Sequence, residues 1–178
     1  MTTLVEKVLA LSEALTAAGV DHAFGGSIAL AYCTEDPRGT RHVDVNAFVP
    51  ASDPQPVLAA LPPGVTVPPD TADIIRGEGQ VRLWWDDTPV DLFLDYAPMH
   101  AQAARGSRDV PFAGRQIRVL GPVELVLFKA LFDRPKDWVD IATVVDAHAV
   151  EHGPVRDGLV ALLGEDDPRV ERWDALAS

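Results

Sequence analysis

Apolar residues recur at Leu4, Val8, Leu11 and Leu15, a spacing of three to four that places them on one helical face. Thr3 and Glu6 form a capping box ahead of them, and Gly19 suits the end of the helix. Val20 to Phe24 reads as a short strand, Gly25-Gly26 as a turn, and Ser27 to about Cys33 as a short apolar helix. Thr34 to Thr40 is a loop. From Val43 to Val49 the period drops to two, with Asp44, Asn46 and Phe48 on one face and Val43, Val45, Ala47 and Val49 on the other.

The proline-rich stretch Pro50 to Pro69 leaves room for a short helix near Gln55 to Leu61, flanked by irregular chain. Val81 to Trp85, the turn Asp86-Asp87-Thr88-Pro89 and Val90 to Asp95 predict a hairpin. Val110 to Phe112, Ala113-Gly114 and Arg115 to Leu120 predict another. Beyond Pro122 the period is helical, with Val123, Leu127, Ala130 and Leu131 inward. A helix follows from about Lys136 to Ala149 with Trp138, Ile141, Val144 and Val145 inward, then one near Val155 to Leu163 and an acidic tail at Glu165-Asp166-Asp167. The expected class is α+β: a mixed β-sheet flanked by helices over residues 1–121, then C-terminal helices over 122–178 packed on it as one unit.

Composition narrows the partners. The net charge is -12, with 27 acidic against 15 basic residues, so extensive binding along a duplex nucleic acid is not expected. Local basic clusters remain at Arg38/Arg41 and Lys129/Arg134/Lys136. No apolar run reaches the length of a membrane span, and the N-terminal segment lacks a basic stretch followed by an apolar core. With a single cysteine, Cys33, the chain is expected in the reducing cytoplasm.

Candidate chemistry gathers between Phe24 and Val49. Asp44 and Asn46 stand two apart on a strand, so both point to one side, about 7 Å apart at the backbone. Asp91, on the later strand Val90 to Asp95, completes a cluster if that strand pairs beside the first. Hard cations such as Mg²⁺ take one or two carboxylates plus substrate phosphates. Gly25-Gly26-Ser27 offers free backbone N–H groups at a helix start and a hydroxyl, which suits a triphosphate. Other features read more plainly. His148 and His152, four apart on the predicted helix, lack a third zinc ligand. His42 shares the parity of Asp44 at the strand's edge. Of Trp84 and Trp85, one belongs to the core and one to the sheet surface, Asp137 and Asp140 fit a solvated helix face, and Cys33 fits the core.

The order of these elements resembles the nucleotidyltransferase-fold superfamily, most closely its AbiEii-like (type IV toxin–antitoxin) and related bacterial nucleotidyltransferase branch. The matching residues are Ala23-Phe24, Gly25-Gly26-Ser27, Ile28 to Ala31, Arg38-Gly39-Thr40-Arg41 and Val43-Asp44-Val45-Asn46, followed by Lys129, Arg134, Lys136, Asp137 and Asp140. The resemblance implies transfer of a nucleotide from an NTP to an acceptor hydroxyl on a tRNA, a protein or a small molecule. It implies Asp44, Asp91 and Lys129 as catalytic residues and Gly25, Gly26, Ser27, Arg41 and Lys129 as nucleotide-binding residues. Mg²⁺ or Mn²⁺ would sit on Asp44 and Asp91, with Asn46 as an auxiliary ligand. The family pattern has a carboxylate where Asn46 stands. Two readings therefore stay open: an active transferase, or a nucleotide-binding or toxin–antitoxin-type interaction module with a partner protein.

Overall fold

The structure is a computed structural model that describes residues 2–37 and 39–177; Arg38, one of the basic loop residues above, lies outside the described residues. Helix α1 (Leu4–Ala17) opens on the capping box: Thr3 N donates to Glu6 Oε2 at 2.7 Å and Glu6 N to Thr3 Oγ1 at 3.3 Å. Strand β1 (His22–Phe24) is buried throughout and runs into the glycine turn and α2 (Gly26–Thr34). Strand β2 (Val43–Pro50) leads to α3 (Gln55–Ala60), the two-residue strand β3 (Val65–Thr66) and α4 (Thr71–Glu78). Strands β4 (Gln80–Trp85) and β5 (Thr88–Asp95) form the first hairpin. Helix α5 (Met99–Gly106) precedes the second, β6 (Arg108–Phe112) and β7 (Arg115–Val119). The chain ends in α6 (Pro122–Phe132), α7 (Pro135–Asp146), α8 (His152–Leu163) and α9 (Pro168–Leu176).

Among the described residues the strands form one sheet of seven in the order β3-β4-β5-β2-β1-β7-β6. It is mixed: β2 runs parallel to β5 and β1 parallel to β7, while the other neighbours are antiparallel. The alternation in β2 and β5 has a direct outcome. Val43, Val45, Ala47, Val90, Leu92 and Leu94 are all fully buried on one face, the side on which α1 lies. Burial of this kind supplies about 1.5–3 kcal/mol per large aliphatic side chain and drives the layer together. The opposite face carries Asp44, Asn46, Asp91 and Phe93, and α6 packs over it, with the Phe93 and Phe132 rings 5.8 Å apart. Helix α6 also packs against α2, α5, α7 and α8.

Several expectations need correction. The first turn is two residues, Asp86-Asp87, with Asp86 at φ 52°, because Trp85 already pairs with Thr88. Helices α4 and α5 and the short β3 were not expected. The acidic run is no tail: Asp167 caps α9 by accepting from Arg169 N at 2.9 Å, and α9 buries Trp173 and Val170. His148 lies past the end of α7 at φ 53° and His152 at the start of α8, so they share no helix face. Asp137 is fully buried instead of solvated. Trp85 is buried and Trp84 exposed, and Cys33 is buried. No helix among the described residues is long and apolar enough to cross a membrane.

Candidate functional site

The site is built on two strands and one turn. In the parallel β2–β5 register Asp44 stands beside Asp91 and Asn46 beside Phe93. Side chains paired across neighbouring strands lie on one face about 5 Å apart. Asp44 and Asp91 therefore meet as the sequence reading requires, and both line an open cleft of about 670 Å³. A narrower recess of about 50 Å³ continues inward beneath the glycine turn, lined by Gly25, Gly26, Asp44, Asn46, Lys129 and Arg134 among others.

The glycines are dictated by this packing. Gly26 has φ +50°, and a Cβ there would sit 2.6 Å from Asp44 Cγ. A Cβ on Gly25 would sit 2.8 Å from Asn46 Nδ2 and 3.3 Å from Leu120 Cδ1. Gly25 N also donates to Asp44 O at 2.9 Å, which ties the turn to β2. The backbone thus rides directly on the Asp44 carboxylate. Burial, reinforced by the neighbouring Asp91, pushes the Asp44 carboxyl above its ordinary value, while Lys129, His42 and Arg134 pull the other way.

Asn46 has a different job from Asp44. It is buried, and its Nδ2 donates to Ala23 O of β1 at 3.4 Å. Asp91 is held by an arginine that the sequence reading passed over: Arg82 Nε donates to Asp91 Oδ1 at 2.6 Å and Nη2 to Oδ2 at 2.8 Å. The signal was present, since a two-residue turn at Asp86-Asp87 sets Arg82 directly opposite Asp91. Phe93, which shares the Asp91 face of its strand, and Phe132 wall both cavities; Phe132 was missed, since its apolar side chain looks like a core residue in the sequence.

Lys129 lines the recess, but its Nζ donates to Asp140 Oδ2 at 2.6 Å and lies 3.7 Å from Asp137 Oδ1. Arg134 caps α7, donates from Nε to Asp137 Oδ2 at 2.6 Å and stacks over the Phe132 ring, 4.9 Å from its centroid. Burial opposes ionisation of Asp137, yet the bonds from Arg134 and the charge of Lys129 prevail and hold its carboxyl below the usual range. Lys129, Arg134 and Asp137 thus wall the recess as part of a pre-formed network that Asp140 completes from behind Lys129. Ser27 borders a separate groove with Val8 and Tyr32, beside α1, and Arg41 is exposed just ahead of β2.

Asp44 and Asp91 fit a single hard cation: two adjacent carboxylates facing an open cleft that a phosphate can enter. They do not fit a pair of ions. The third position is an amide turned toward a backbone carbonyl, and among the described residues no three His, Cys, Asp or Glu side chains gather as a metal cluster.

No protein-family model matches the chain, and no curated protein sequence matches it. Solved structures do. The antibiotic-resistance factor ANT(2'')-Ia aligns over 98% of this chain and 90% of its own at 16% identity, with a TM-score of 0.54. An antigenic nucleotidyltransferase-like protein from Paracoccidioides brasiliensis aligns over 96% of this chain and 91% of its own at 15% identity and a TM-score of 0.50. A candidate nucleotidyltransferase from H. pylori does so over 97% and 90% at 17% identity and a TM-score of 0.50. What the chain shares with these proteins over nearly its whole length is the nucleotidyltransferase fold.

Proposed function

We propose that the chain binds a nucleoside triphosphate in the cleft and transfers its nucleotidyl group to an acceptor hydroxyl. One observation carries the reading: Asp44 and Asp91 stand side by side on paired strands, directly beneath a glycine turn that leaves no room for a Cβ. In this reading the turn's backbone approaches the phosphates closely. Lys129 and Arg134 stand at the inner wall with their charges offset by Asp140 and Asp137, so in this reading they aid the leaving group by donating to phosphate oxygens rather than by net charge. The acceptor hydroxyl oxygen bonds the α-phosphorus and releases its proton to solvent, while the bond from that phosphorus to the α–β bridging oxygen breaks and pyrophosphate departs. Mg²⁺ or Mn²⁺, held by Asp44 and Asp91, would neutralise phosphate charge. Ser27, on the separate groove beside α1, takes no part in this reading, and Arg41, exposed just ahead of β2, is left as a contact to the nucleotide or acceptor.

The test offers each labelled NTP with Mg²⁺ or Mn²⁺ to the purified chain and a cell extract containing tRNA and protein. Label transfer that disappears in Asp44→Ala supports the proposal; failure to bind any nucleotide refutes it. The position of Asn46 favours a second reading, a nucleotide-binding or toxin–antitoxin-type interaction module, because the missing carboxylate removes a negative charge from the site. Metal-dependent nucleotide binding with no transfer to any acceptor, and no gain from Asn46→Asp, would select that reading.

A further inference from the structure

Among the described residues Arg82 is a cation bonded directly to a candidate metal ligand. Its guanidinium takes both oxygens of Asp91, at 2.6 and 2.8 Å. The pair is lopsided: the Asp91 side chain is 15% exposed, whereas that of Arg82 is 51% exposed and lies in the open cleft. Lys129 and Arg134, the other basic residues of the site, are engaged by Asp140 and Asp137 instead.

We propose that Arg82 is a positioning residue whose guanidinium holds the Asp91 side of the site, restricting it to one divalent ion and competing with that ion for Asp91. The inference rests on Asp44 and Asp91 being the cation-binding pair. A guanidinium keeps its charge at any physiological pH and matches a carboxylate with two parallel bonds, so it cannot be titrated away. It can only be displaced. With Asn46 uncharged and Arg82 in place, two ionised carboxylates and one arginine leave the set a single net negative charge. With no phosphate bound, that charge offsets only half of one divalent ion and a quarter of two, which disfavours a second ion. An ion that claims Asp91 turns the half-exposed Arg82 out into the cleft, where an anionic ligand would receive it. Metal and triphosphate then favour each other's binding through one side chain.

The experiment titrates Mn²⁺ alone into the full chain and reads free ion by electron paramagnetic resonance, for wild type, Arg82→Gln and Arg82→Lys, and for Arg82→Gln combined with Asp91→Asn. Wild type is expected to bind one Mn²⁺ per chain. Arg82→Gln is expected to bind it about tenfold more tightly, because a unit charge a few ångströms away no longer opposes the ion. Arg82→Lys, which keeps the charge but loses the two parallel bonds, is expected to fall between wild type and Arg82→Gln. In the Asp91→Asn background the gain vanishes. Two ions on wild type, no Mn²⁺ on any variant, or an Arg82→Gln affinity equal to or below wild type would each overturn the proposal. Because the readout is metal binding, a chain that behaves as expected yet labels no acceptor sinks the transfer reading alone.

Discussion

Replacing Gly26 with alanine tests the contact on which the site is built. The residue has φ +50°, where a side chain costs about 1–2 kcal/mol in backbone strain. The new Cβ would also lie 2.6 Å from Asp44 Cγ and 3.2 Å from Asp44 Cβ. Relieving that overlap forces Asp44 off its rotamer or lifts the turn from β2, which adds about 1–2 kcal/mol. The expected sum is about 3 kcal/mol, a fall of roughly 6–12 °C in Tm for a chain of this size. Urea denaturation of Gly26→Ala, Asp44→Ala and the double variant separates the two parts. With the carboxylate gone the 2.6 Å overlap is removed, leaving the backbone strain and the milder 3.2 Å contact with Cβ, so the loss shrinks by about 1 kcal/mol, a coupling typical of residues in contact. An equal loss in both backgrounds would show that Gly26 answers to its backbone angle alone and that the turn does not ride on Asp44.

Asp44→Asn should raise Tm at neutral pH in metal-free buffer. A carboxyl whose value the fold raises holds its proton more tightly folded than unfolded, so stability falls as pH climbs from the ordinary carboxylate range through the raised value and stays lowered above it. The advantage of the amide should therefore close as pH drops below that range; a lower neutral-pH Tm for Asp44→Asn would contradict the burial argument. Lys7→Met removes the buried ammonium that donates to Trp85 O at 2.8 Å and Thr88 Oγ1 at 2.9 Å and lies 3.2 Å from Asp86 Oδ2, and about 2 kcal/mol should be lost in urea denaturation, since bonds from a charged donor are lost. Trp173→Ala empties the anchor of α9 at a cost of about 3–5 kcal/mol. Hydrogen exchange should show α9 opening first; unchanged protection of 168–176 would refute its docking through Trp173.

The two faces of β2 and β5 were legible because burial on one side imposes strict alternation, and Asp44 and Asp91 fall on the other side in both strands. The pairing between them was not. A parallel neighbour is chosen by the layer as a whole, and nothing near Asp44 in the chain names β5. Arg82 escaped because the hairpin turn was read as four residues, which hides the partner of Asp91. Lys129 was read as a phosphate ligand; that α7 folds Asp137 and Asp140 onto it depends on helix packing. Helices α4 and α5 are 8 residues each, carry few apolar positions and include Gly77 and Gly106, so they are too short for a period to be read. Helix α9 hid behind acidic residues, one of which, Asp167, is its cap and is held down to about 2 by its bonds from Arg169.

The parallel pairing of β2 with β5 also fixes when the site can exist. Asp44 and Asp91 are separated in the chain by α3, β3, α4 and β4, and no local turn can join parallel strands. Half-folded chains, including any with only the β4–β5 hairpin in place, hold Arg82 and Asp91 together but lack Asp44. Occupancy of the cleft by an ion or a nucleotide is therefore a gauge of long-range assembly: it should be lost at the same denaturant concentration as the sheet itself, with no binding-competent intermediate before it.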